Sequence, residues 1–153
     1  MTILRKLKEL YKENIIDYNK EGKNNKYFIK KNIEAKAYVL MTEHYKLIKL
    51  LRKYPLLRRI IQIIQEDNRF NLAILFGSYA KGYARDESDI DIYIDTNNPK
   101  IKRDLMNYDE DLSIKIGKYT KSSLLITEIE KKNIIIKGAE FYYEKNQFFK
   151  KNN

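Results

Sequence analysis

From Thr2 to Lys12, the apolar residues Ile3, Leu4, Leu7, Leu10 and Tyr11 recur at helical spacing, which predicts an amphipathic helix. NIIDY and KYFIKKN follow as short β-branched or aromatic runs around the turn-rich NKEGKNN. With Gly22 in that turn, the pattern predicts a hairpin. Helical spacing returns over Ile33–Leu51, where Tyr38, Met41, Tyr45, Ile48 and Leu51 fall at three- and four-residue steps. Pro55 suits the first turn of a new helix better than an interior, so Leu56–Asp67 reads as the next helix, ended by Asp67-Asn68.

The second half changes character. Asn71–Phe76 holds a continuously apolar strand, expected to be central because both faces are apolar. Ser78–Tyr83 reads as a short helix, Asp89–Ile94 as a second strand, Lys100–Tyr108 as a helix and Leu112–Tyr119 as a third strand. Ser122–Lys137 reads as a helix with Gly138 as its C′ residue, and Ala139–Tyr143 as an edge strand. Alternating strands and helices predict a small α/β (α+β) fold, a mixed β-sheet packed with helices. Three regions are expected: a basic helical region with a β-hairpin over 1–67, a catalytic-type domain over 68–146, and a flexible tail over 147–153.

Composition narrows the classes. No apolar run approaches 18 residues and the first stretch is charged, so neither a membrane span nor a secretory signal is expected. Absent cysteines exclude disulfide and thiolate-metal sites, and a single histidine, His44, excludes a histidine-rich zinc site. A cytoplasmic protein is the expectation. The net charge of +10 is uneven: residues 1–70 carry 17 Lys/Arg against 8 Asp/Glu, leaving the remainder nearly neutral. A basic front half suits an anionic partner, while a general lysine bias accounts for it equally well.

One segment carries chemistry, LFGSYAKGYARDESDIDIYI from Leu75 to Ile94. Gly77-Ser78 closes a buried strand and opens a helix, where backbone amides beside a serine hydroxyl form a phosphate cradle. Asp89 and Asp91 follow Ser78 after ten intervening residues. At i and i+2 on a strand, their carboxylates project from one face while Ile90 and Ile92 turn to the core. Two such carboxylates repel unless a cation lies between them, and hard oxygen donors favour Mg²⁺ over zinc.

The spacing G-S-x10-D-x-D, here Gly77, Ser78, Asp89 and Asp91, resembles the signature of the DNA polymerase beta-like nucleotidyltransferases. GSYAKG and the short chain resemble the minimal members of that superfamily. Some of these are antitoxins that transfer AMP from ATP to a tyrosine of a HEPN-family RNase toxin. The resemblance implies two-metal phosphoryl transfer, with Asp89 and Asp91 on Mg²⁺, Gly77 and Ser78 on the ATP phosphates, and Lys81 and Arg85 steadying pyrophosphate. It also implies a third carboxylate on the following strand. DLSIKIGKY presents Asp111, Ser113, Lys115 and Gly117 on that face, so Asp111 is the candidate, and Lys115 opposes metal binding. A HEPN-type toxin is the implied partner. A small-molecule acceptor and a weakly catalytic, nucleotide- and nucleic-acid-binding regulator stand as alternatives.

The front segment ENIIDYNKEGKNNKYFIKKN resembles the hairpin wing of a winged helix-turn-helix, preceded by one helix where that fold needs two. Lysines 20, 23, 26, 30 and 31 among Tyr18, Tyr27 and Phe28 suit weak nucleic-acid contacts. A structural or dimerising role is the competing reading, and the apolar run from Leu56 to Ile64 is expected to pack on the sheet or on a second copy.

Overall fold

The computed structural model describes residues 2–150. Helix α1 (Ile3–Lys12) is followed by strands β1 (Ile16–Glu21) and β2 (Asn24–Ile29), helix α2 (Ile33–Lys53), a 3-10 turn at Pro55–Leu57 and α3 (Arg58–Glu66). Then come β3 (Ala73–Leu75), α4 (Gly77–Lys81), β4 (Ile90–Asp95), α5 (Pro99–Met106), β5 (Leu112–Gly117), α6 (Leu124–Lys131), β6 (Ile134–Lys137) and α7 (Ala139–Lys145). The described residues fall into two compact units, one within Met1–Thr42 and Tyr143–Asn153, the other Glu43–Tyr142. Among them, no helix is long and apolar enough to cross a membrane.

The first unit contains α1 and the hairpin. Thr2 caps α1 by accepting from the Arg5 amide, and Asn32 Oδ1 accepts from the Ala35 amide at 2.9 Å in the first turn of α2. β1 and β2 pair antiparallel from Ile16↔Ile29 to Glu21↔Asn24. Its small core gathers Ile15, Ile16 and Ala35, with Leu7, Leu10, Tyr38 and Phe149 packed against them. β2 stays exposed throughout, and three of the five hairpin-region lysines already have partners: Lys26 with Glu21, Lys30 with Asn14, and Lys31 with the Phe148 carbonyl and ring. Of the tail expected from 147, Phe149 packs on this core; residues 151–153 lie outside the described residues.

The second unit is built on a four-stranded mixed sheet ordered β5-β4-β3-β6. β3 runs antiparallel to both β4 and β6, and β4 runs parallel to β5. β3 is central, as its unbroken apolar run predicts, and all three of its residues are buried. On one sheet face Ile90, Ile92, Ile94, Leu112 and Ile114 pack with Leu57, Ile60, Ile61 and Ile64 from the 3-10 turn and α3, and with Ile101 and Leu105 from α5. Burying that many branched side chains supplies most of the unit's stability. The opposite phase of β4 and β5 presents Asp91, Tyr93, Ser113 and Lys115. Arg69 ties the end of α3 to α5 by pairing with Asp67 and Asp104, each at 2.6 Å, and it holds the Asp67 carboxyl below the ordinary value.

The C-terminal elements differ from the sequence expectation. The helix predicted over Ser122–Lys137 stops at Lys131, and Ile134–Lys137 forms a buried strand beside β3. The segment expected as an edge strand, Ala139–Tyr143, lies in helix α7. A short run of β-branched residues fits helix periodicity and a buried strand equally well, and here the open edge of β3 decides. Gly138 does adopt positive φ (+80°), but at a strand-to-helix junction rather than a helix end. A Cβ there would sit 1.9 Å from the Asn71 carbonyl oxygen.

Gly138→Ala therefore combines a backbone clash with left-handed strain, and a loss of about 3 kcal/mol is expected. Urea unfolding measures it. A midpoint equal to that of the native chain would contradict this junction.

Candidate active site

Three elements position the site. β3 delivers the chain to Phe76, whose amide donates to the Asp91 carbonyl at 3.0 Å, fixing the start of α4 against β4. Gly77 then turns at φ +69°, a conformation that an L side chain rarely adopts. Its missing side chain matters more than its angle. A Cβ at 77 would lie 2.2 Å from Asp91 Oδ2, so the carboxylate fills the space that only glycine leaves empty. Ser78 follows in the first turn of α4, and its carbonyl accepts from the Gly82 and Tyr83 amides.

The acidic residues reach the same end of β4 by different routes. Asp91 projects from β4 opposite Ser113 on β5, is half-buried, and accepts a hydrogen bond from the Ser113 hydroxyl. Asp89 is exposed and sits just before β4, at the end of a loop closed by reciprocal bonds between Arg85 and Ser88. Burial pushes the Asp91 carboxyl above the ordinary aspartate value; the Ser113 hydrogen bond opposes this, Asp89's charge adds to it, and Lys115 partly offsets it. Asp95, the next carboxylate in phase on β4 after Tyr93, accepts from the Tyr119 amide at 2.8 Å.

The remaining sequence candidates are spread out. Asp111 is exposed at the entry to β5, its carbonyl accepts from the Ile90 amide at 2.8 Å, and it falls one register step before the Ile90↔Leu112 pair, beside Asp89. Among the described residues, no three carboxylate or imidazole side chains converge as a metal cluster, so Asp111 is not brought into one group with Asp89 and Asp91. Lys81 ends α4, one helix length from Gly77, with Nζ 3.7 Å from Glu128. Arg85 is exposed in the loop. Ser113 is the residue that motif reading passes over. It appears on the outward face of DLSIKIGKY, but only the parallel register sets it opposite Asp91.

The Asp pair and the glycine gap fit a hard divalent cation. The donors are carboxylates, they repel one another, and the more buried of them is held in a state where charge is costly. Because folding raises the Asp91 value, its stabilising contribution is full below the ordinary aspartate range and is lost as pH rises through the raised one. At neutral pH the ionised group is a net cost. Asp91→Asn should thus keep or raise the thermal midpoint at neutral pH, and Mg²⁺ should raise the midpoint of the native chain but not of the variant. A midpoint several degrees lower in metal-free Asp91→Asn would contradict this electrostatic account.

Residues 58–148, more than half of the chain, match the family described as Polymerase beta, Nucleotidyltransferase. Among curated proteins none matches the chain. The matched span contains Gly77, Ser78, Asp89 and Asp91, and the chain belongs to the polymerase beta-like nucleotidyltransferase family.

Proposed function

We propose that this chain is a Mg²⁺-dependent nucleotidyltransferase that moves AMP from ATP to a protein hydroxyl, a tyrosine of a HEPN-type toxin for which it serves as antitoxin. Members of the family generally use Mg²⁺ and nucleoside triphosphates. The observation that carries the reading is the Asp91 carboxylate lodged in the gap left by Gly77, with Ser78 in the first turn of α4 and Asp89 two residues away. This closeness at neighbouring ends of β3 and β4 supports reading the bend as phosphate donors and the aspartates as metal ligands.

In this reading Asp89 and Asp91 hold the cation, with Asp111 supporting them from the entry to β5. The cation, when bound, neutralises triphosphate charge and charge developing on the leaving oxygen. The Gly77–Ser78 bend holds phosphate oxygens through backbone amides and the Ser78 hydroxyl, and Lys81 and Arg85 steady the leaving group. Ser113 orients the Asp91 carboxylate by its hydrogen bond. The acceptor oxygen bonds to the α-phosphorus in line with the departing pyrophosphate, the α–β bridging bond breaks, and the hydroxyl proton passes to a carboxylate or to water. That no three carboxylates converge as a metal cluster among the described residues favours a second reading, a weakly catalytic nucleotide-binding regulator.

Incubation with ATP labelled at the α-phosphate, Mg²⁺ and the candidate toxin separates the two. Transfer should label a tyrosine of the toxin, and Asp89→Ala/Asp91→Ala should cut it by at least about a hundredfold. Label transfer equal in the double variant would refute the assigned ligands. Nucleotide binding without transfer to any acceptor would favour the regulator.

A further inference from the structure

The second unit gathers lysines from the basic front of the sequence and from its near-neutral remainder into one place. Lys46, Lys49 and Lys53 lie on α2 at i, i+3 and i+7, one side of the helix. In the fold of the second unit they line, with Lys81 from the end of α4 and Lys131 and Lys132 from the end of α6, a cleft of about 420 Å³. Six ammonium groups face one carboxylate in that lining, Glu130, which already accepts hydrogen bonds from Tyr119 and Tyr142. Two glutamates nearby offset little. Glu128 is shared by Lys81 (3.7 Å) and Lys131 (2.7 Å), and Glu43 pairs with Lys46 at 2.8 Å. Lys49 and Lys132 form no ion pair among the described residues, and Lys53 is held only by the Gly82 carbonyl and by the face of Tyr54, 5.4 Å from the ring centre. Tyr54 also lines the cleft, and its Oη is buried without a hydrogen-bond partner among the described residues.

We infer that this cleft is a second anion site, separate from the Gly77–Asp91 edge, and that it takes a compact polyphosphate carrying three or more phosphate groups. Like charges gathered in a concave, partly apolar wall focus a positive field, and a multivalent anion relieves their repulsion at several lysines together. Size selects among anions. A peptide needs about 3.5 Å of chain for each carboxylate, so four or five of them spread over roughly 14 Å of chain or more, a poor fit to a cleft of about 420 Å³. A duplex is wider still. Polyphosphate packs the same charge into the space available, whether it is free or the tail of a nucleotide. Gly77, Ser78, Asp89 and Asp91 do not line the cleft. Lys81, at the far end of α4 from Gly77, joins both neighbourhoods.

The test is calorimetric titration of the intact chain with inorganic tripolyphosphate in EDTA, so that no metal-dependent binding contributes. A saturable heat is expected. Lys49→Gln/Lys53→Gln/Lys132→Gln should weaken it by about tenfold or more, with an unchanged thermal midpoint, and Lys49→Gln alone by a smaller factor. Asp89→Asn/Asp91→Asn should bind as the native chain does, which keeps this result independent of the proposed catalysis. ATP binding as tightly as tripolyphosphate in EDTA, with the same lysine dependence, would identify a nucleotide tail as the source; much weaker ATP binding would identify a free polyphosphate. The inference is overturned if the triple variant binds unchanged, if binding disappears in the Asp pair variant instead, or if a short single-stranded RNA or an oligoglutamate competes more tightly than tripolyphosphate.

Discussion

The carboxylate of Asp91 occupies the volume that a side chain at position 77 would require, and most of the candidate site follows from that exclusion. Contact this close is possible only because the loop that leaves β3 turns at a glycine with positive φ, and because the Phe76 amide ties the same turn to the Asp91 carbonyl. The central, fully buried β3 anchors one side of the contact and the β3–β4 ladder the other, so the core fixes the distance between the phosphate-binding bend and the first carboxylate. The polar consequence is a carboxylate half-withdrawn from water beside a second negative charge. Ser113 and Lys115 on β5 partly compensate for it. Such an arrangement is costly to a fold left alone and is made favourable by a cation.

α4 then separates two electrostatic neighbourhoods. It is five residues long, about 7.5 Å at the usual helical rise, with the acidic edge at its start and the lysine cleft at its end. The first neighbourhood is built from residues close together in sequence, the second from segments far apart. The weak feature of the acidic edge is the place of Asp111, exposed before β5 rather than clustered with the pair.

This difference in sequence range explains what was legible beforehand. The spacing of Gly77, Ser78, Asp89 and Asp91 lies within a single strand–helix–strand unit, so the motif could be read directly and its placement on elements inferred from alternation. α1, α2, β4 and β5 declared themselves through two- or 3.6-residue periods, β3 through an unbroken apolar run, and the hairpin through short β-branched and aromatic runs around a turn-rich segment. Ile134-Ile135-Ile136 has no period, and only the vacant edge of β3 turns it into a strand. Gly138 carried a correct signal, positive φ, that attached to the wrong kind of junction. Ser113 opposite Asp91 depends on a parallel register, and the convergence of Lys46, Lys49 and Lys53 with Lys131 and Lys132 depends on tertiary packing. Neither is written in local spacing.

The most direct measurement of the central claim is a crystal structure of the intact chain with Mn²⁺ and a non-hydrolysable ATP analogue, the metal located by its anomalous scattering. The account predicts a peak between the carboxylates of Asp89 and Asp91, with analogue phosphates against the Gly77–Ser78 bend. Metal bound elsewhere, or phosphates at that bend with Asp89 and Asp91 turned away from them, would contradict it.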